Sequence, residues 1–139
     1  MLRRDFISKI IEEFVNAISR MLKLDYRKEN KKFLENFDES LHTYFKISSE
    51  DLDKLLEENE DRDVFLLDEK LRNQLLSLFI RAGLALLYSH EKSKAEKCLE
   101  IVKRIQKQHS TLYEFPSEES LRIEKEWNQL RNEIKQLSK

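Results

Sequence analysis

The chain has 139 residues, 40% apolar and 38% charged, and its 26 basic and 27 acidic side chains leave a net charge of -1. It is long enough for one domain with its own core and too apolar for a disordered chain, while a mean hydropathy of -0.69 implies a heavily solvated surface. One glycine and one proline, where average usage gives about ten and seven, disfavour turn-rich β folds and exclude phosphate loops, dinucleotide fingerprints and nucleophile elbows.

Leu2, Phe6, Ile7, Ile10, Ile11, Phe14, Val15, Ile18, Met21 and Leu22 recur at steps of one, three and four, which predicts a first helix of about 20 residues with a wide apolar stripe. Asp5, Glu12 and Glu13 interrupt any continuous apolar run, so the segment does not read as a signal peptide or a mitochondrial presequence. Its polar face (Lys9, Glu12, Glu13, Asn16, Arg20) lacks the basic excess of an interfacial membrane helix. No stretch approaches the roughly 20 apolar residues that cross a bilayer. The expected compartment is the cytoplasm.

Six bases follow: Arg20, Lys23, Arg27, Lys28, Lys31 and Lys32, with only Asp25 and Glu29 among them. They are a candidate basic patch, and from Glu50 to Asp63 eight acids stand against Lys54 and Arg62; the two stretches are either solvated surface or complementary patches that steer a partner or a second copy of the chain. Tyr26 among them could stack on a nucleotide base, but the balanced total charge argues against nucleic acid, and a loop anchored by its tyrosine is expected. Phe33, Leu34, Phe37, Leu41, Tyr44 and Phe45 then predict a second helix from about Lys28 to Tyr44, paired antiparallel with the first. Glu39 and His42 have the Glu-x-x-His spacing of di-iron bundles, but neither His90 nor His109 supplies the required second copy, so no metal is expected.

Ser48, Ser49, Glu50 and Asp51 ahead of Leu52, Leu55 and Leu56 read as a capped start for a short helix over 49–58. The acidic run from Glu57 to Asp63 has no apolar period and predicts a loop. Asp68 is positioned to cap the next helix, and from Leu71 to Tyr88 apolar residues point in nearly every direction. Such a helix is central and buried; Arg72, Asn73, Gln74, Ser77 and Arg81 make the surroundings protein rather than lipid. After a polar turn at 89–93, Ala95, Cys98, Leu99, Val102 and Ile105 form one face, and Lys94, Glu96, Lys97, Lys103, Arg104 and Lys107 are expected in solvent. Cys98, the lone cysteine, falls on that face as a core thiol and excludes an internal disulfide. His90 and His109, near Ser89, Ser93 and Ser110, are expected in exposed turns and give no cue to a nucleophile–base pair. Gln108 to Pro116 breaks the pattern, Pro116 and Ser117 open a last helix, and Ile123, Trp127, Leu130, Ile134 and Leu137 give it a narrow seam for one partner helix.

Gly83 and Ala95 lie twelve residues apart across the turn, the offsets at which a tetratricopeptide-type helix pair places small residues where its helices cross. Phe79, Leu99 and Val102 fit the large positions; Ala82 and Leu86 depart from the usual leucine and tyrosine. Beyond this hairpin the chain resembles a small bacterial family catalogued as a domain of unknown function. The resemblance rests on the opening from Met1 to Ile7, on Ile11-Glu12-Glu13-Phe14, Phe37-Asp38-Glu39-Ser40-Leu41 and Phe45-Lys46-Ile47-Ser48, and on the Gly83/Ala95 pair, over roughly residues 1 to 108. It implies a repeat-like helical fold and carries over no activity, cofactor or catalytic residue.

The expectation is one all-α domain (TPR-like, residues 1–139) of five or six helices in antiparallel pairs: a first hairpin over 1–45, a short helix over 49–58, a hairpin over 68–108 and a capping helix over 117–138. Its expected role is a non-catalytic protein–protein interaction module with a protein or peptide partner and no cofactor. Ile80, Leu84 and Leu87, with Trp127, Leu130 and Ile134, are the candidate interaction surface, because such residues must be covered by the chain, a second copy or a partner helix. A self-assembling homodimer is the alternative; an enzyme or a nucleic-acid binder ranks third.

Overall fold

The computed structural model describes residues 2–109 and 118–137, and all of their regular structure is helical. Its centre is set by Asp68. The Asp68 carboxylate accepts the Leu71 backbone N–H at 2.8 Å, a side-chain cap that starts the helix Glu69–Tyr88. This helix, α4 below, is buried along most of its length, and even Arg72, Asn73 and Ser77 are inside.

Before it come α1 (Leu2–Met21), α2 (Asn30–Ser40) and α3 (Glu60–Asp63); after it come α5 (Lys92–His109) and α6 (Glu118–Leu137). α4 touches α1, α2, α5 and α6, most extensively α5, so a helix with no polar face is covered on every side by the rest of the chain. The end of α4 is as well defined as its start. His90 takes the left-handed conformation (φ 67°), the Glu91 N–H reaches the Leu86 carbonyl at 2.8 Å, and the His90 N–H reaches that of Leu87 at 3.1 Å. That pair of bonds satisfies carbonyls the last turn would leave open, and it gives His90 a backbone role.

Several elements differ from the expectation. The second helix starts at Asn30, and from Leu41 to Phe45 it widens into a π-turn. It ends where Lys46 adopts φ 60° and its N–H meets the Leu41 carbonyl. Ser48 does cap the next segment, accepting the Glu50 N–H at 3.2 Å, but Ser49–Leu56 is a 3-10 helix kinked at Asp51. The acidic run is not an open loop. It contains α3 and leads into a 3-10 turn, Val64–Leu67, which buries Phe65 and Leu66.

Arg104 explains that order. Its guanidinium donates to the Leu55 carbonyl at 3.0 Å and to both Asp63 carboxylate oxygens at 3.3 and 3.1 Å. Expected in solvent, it is instead half-buried and ties a segment without apolar period to α5. α5 buries Ile101 with Ala95, Cys98, Val102 and Ile105, while Leu99 is only half-buried. The core face is thus turned slightly from the expected one, and this turn carries Arg104 inward. The expected break over Gln108 to Pro116 reaches past the end of α5, and the helix start at Pro116 and Ser117 lies outside the described residues. So do the side-chain positions of Leu2, Phe6, His109, Ile123 and Leu137.

Gly83 sits where α4 meets two helices. A Cβ there would stand 2.9 and 3.1 Å from the two terminal carbons of Leu130 on α6, and 3.5 Å from Cys98 Cβ on α5. The sequence pairs Gly83 with Ala95, which is fully buried, yet the tightest approach comes from α6.

Candidate functional site

The apolar candidate surface is interior. Ile80, Leu84 and Leu87 on α4, and Leu130 and Ile134 on α6, are all buried, and Trp127 is half-buried. α6 lies on α4 through Leu130 at Gly83 and through Glu126, whose carboxylate stands 3.5 Å from the Arg81 guanidinium. Arg81 also donates to the Leu22 carbonyl at 2.7 Å, joining the end of α1 to the same junction. These residues face one another within a single chain, so they are not an exposed docking face. Of the three coverings open to them, the chain's own helices supply one.

The basic residues have the opposite fate. Arg20, Lys23, Arg27, Lys28, Lys31 and Lys32 are all exposed. The described ion pairs join Lys54 to Asp51, Arg81 to Glu126, Lys92 to Glu96, Lys94 to Glu50 and Glu91, Lys97 to Glu100, and Arg104 to Asp63. None of the six patch cations is among them. Asp25, the nearest acid in sequence, accepts the backbone N–H groups of Arg27 and Lys28 at 2.8 and 3.1 Å. Those bonds, Arg27 first, hold its carboxyl below the usual range.

The structure divides the patch. Arg20 from α1 and Lys32 from α2 line a groove of about 460 Å³ whose other walls are Ala17, Met21, Leu24, Asn36, Glu39, Ser40, Thr43 and Tyr44. Lys23 lines a second groove of about 420 Å³ with Tyr26, Arg81, Leu84, Glu126 and Gln129. Arg27 lies over the Tyr26 ring at 5.7 Å, while Tyr26 itself packs against the core. The tyrosine is therefore an anchor for its loop. Asn30 reinforces that anchor, its side-chain amide donating to the Tyr26 carbonyl at 3.0 Å and to the Ala85 carbonyl of α4 at 2.8 Å.

Two features of the first groove lie at or just before the π-turn. Ser40 is 9% exposed, and its hydroxyl has one described bond, a weak one to the Met21 sulfur at 3.7 Å. Tyr44 stacks face to face on Phe14, with ring centroids 4.0 Å apart. Partial burial raises its hydroxyl pKa above the usual value, Glu13 raises it further, and Arg20 opposes both. π-turns within helices recur at functional sites because the wider turn displaces side chains from the regular register. Asn36, Ser40, Thr43 and Tyr44 are the site residues the sequence reading missed. The signal was present: Lys32, Asn36, Glu39 or Ser40, and Thr43 lie three or four residues apart, a polar stripe beside an apolar one.

Elsewhere the chemistry is plain. Cys98 is fully buried, and burial pushes its thiol up to about 12, the behaviour of a packed core residue. His42 is exposed, and among the described residues no three His, Cys, Asp or Glu side chains cluster to hold a metal ion. Among the same residues no helix is long and apolar enough to cross a membrane. Comparison with protein-family models, with curated proteins and with solved structures returns no match to this chain.

Proposed function

We propose that this chain is a non-catalytic protein–protein interaction module, built as a tetratricopeptide-like stack of antiparallel helix pairs. In this reading α1 with α2 and α4 with α5 are the pairs, and α6 caps the stack as terminal repeats require. The three-residue connection from Ser89 to Glu91 and the close approach at Gly83 and Cys98 support the α4–α5 pair. The bacterial family that the sequence resembles is part of the same proposal, and the cytoplasm is its setting.

One observation carries the functional reading: the apolar helix is covered by its own chain, whereas all six patch cations stand outside with no ion pair among the described residues. A folded helical scaffold with a covered apolar core and exposed surface cations is suited to recognition by electrostatic complementarity. A homodimer is the second reading, favoured by Leu67 and Tyr88, large apolar residues exposed at 74% and 56%.

Site-specific photo-crosslinking in the source cell tests the module. A crosslinking residue at Lys28 should give discrete protein adducts, and one at Glu96 on α5 should not. Adducts with nucleic acid alone, or none from Lys28, would remove the reading.

A further inference from the structure

We infer that the groove between α1 and α2 receives an acidic peptide segment carrying an apolar side chain. The inference rests on the module reading and adds to it a place and a partner chemistry. The groove is within the size range of small-ligand sites, and its parts fall into three sets. Ala17 and Met21 on α1 and Leu24 just beyond its end form an apolar strip, and Arg20 and Lys32 supply cations from both walls. Asn36, Ser40 and Thr43 supply polar groups along α2 and the π-turn.

Two independent observations point to a ligand. Arg20 and Lys32 form no described ion pair, although lysines and arginines on α4 and α5 do. Ser40 is more than nine-tenths buried on the groove wall, with only a thioether for a described partner. A buried hydroxyl normally finds a stronger acceptor or donor, and here the open side is the groove. Lys28, just before α2, and Lys31 on it are exposed without described ion pairs and extend the positive surface beyond it.

Glu39 decides the class of partner. It sits on the same wall with no described hydrogen bond or ion pair. A peptide backbone brings N–H groups that a carboxylate accepts, so Glu39 and the cations serve one ligand together. A phosphodiester backbone brings no donor and meets repulsion there. The chain's net charge of -1 also lacks the basic excess on which sequence-independent nucleic-acid binding depends.

Fluorescence anisotropy tests this with the full chain and a fluorescein-labelled twelve-residue peptide of mixed Glu and Asp containing two leucines. The expected result is saturable binding that weakens at least tenfold in the Arg20→Glu/Lys32→Glu double variant. Thr43→Trp, an exposed position that narrows the groove at constant charge, should weaken it at least fivefold. Lys92→Glu/Lys97→Glu on α5 makes the same net-charge change and should leave binding within twofold. Circular dichroism confirms the fold of each variant, and Ala17→Phe replaces Thr43→Trp if the latter does not fold. Absence of binding, equal loss in both double variants, or no effect of either groove-filling substitution overturns the groove as the site. Tighter binding of single-stranded oligouridylate, lost in the same groove variants, overturns the peptide assignment. The crosslinking result at Lys28 stands or falls separately, so failure of the groove is distinct from failure of the module.

Discussion

α4 and the α1–α2 groove face the same problem, polar groups beside apolar surface, and solve it in opposite ways. On and around α4 three arginines are tied inward. Arg72 donates to the Leu66 carbonyl at 3.0 Å, Arg81 to Leu22 and toward Glu126, and Arg104 to Leu55 and Asp63. Each guanidinium closes a junction between two elements, and each acceptor is a group that folding would otherwise strand. In the groove, Arg20, Lys32 and Glu39 have no ion pair among the described residues, and Ser40 has only a sulfur there. The lesson is a division of labour: one arginine set holds the fold, and the other cations remain available at the surface.

The largest expected effect breaks the first half of that comparison. Leu84→Asp places an uncompensated carboxylate where the side chain is 3% exposed, which should cost about 3–5 kcal/mol and abolish the cooperative thermal transition. Retained helicity with an unchanged melt would mean that α4 is not covered as described. Gly83→Leu comes next. Its side chain would enter space held by Leu130, an overpacking that should cost about 1–3 kcal/mol. The second substitution Leu130→Ala should recover part of that loss in a double-mutant cycle, and strict additivity would put the α6 crossing elsewhere.

Arg104→Met should cost about 1–3 kcal/mol in urea unfolding, because it removes the donor to the Leu55 carbonyl and leaves the Asp63 carboxylate with the Asn59 backbone N–H in place of a guanidinium. Protease cleavage within residues 57–67 should rise with it. A smaller effect tests the core through Cys98. Its thiol pKa is 9.0 when unperturbed and about 12 in the fold. Between these values the unfolded chain loses a proton that the folded chain keeps, so this contribution to stability is full below pH 9 and lost as pH rises toward 12. Cys98→Ala should flatten that part of the alkaline decline, and the native thiol should resist a disulfide reagent at pH 8 until the chain unfolds.

The same contrast marks what the sequence could reveal. The span from Leu71 to Tyr88 is apolar in every direction, and that pattern has one soluble solution, so the central helix was legible with its Asp68 cap. Ser48 and Cys98 were legible for similar local reasons. The acidic run was not, because α3 and the Val64–Leu67 turn depend on Arg104, more than 35 residues away, and carry no period of their own. Nor was the π-turn: Leu41 and Phe45 are four residues apart, a step that an ordinary helix uses as well. The candidate interface divided along the same line. Apolar residues were rightly singled out as needing cover, yet only tertiary packing could say that α6 supplies it. The six cations were visible as a run, but their partition between groove, loop and open surface needed the helix pair.

The most direct measurement is molar mass in solution, by size-exclusion chromatography with light scattering across a hundredfold range of protein concentration and at low and high salt. The account predicts a monomer near 16.8 kDa throughout, because α4 is already covered and the groove awaits a different partner. A dimer of constant mass at every concentration would contradict it and favour association through the exposed Leu67 and Tyr88.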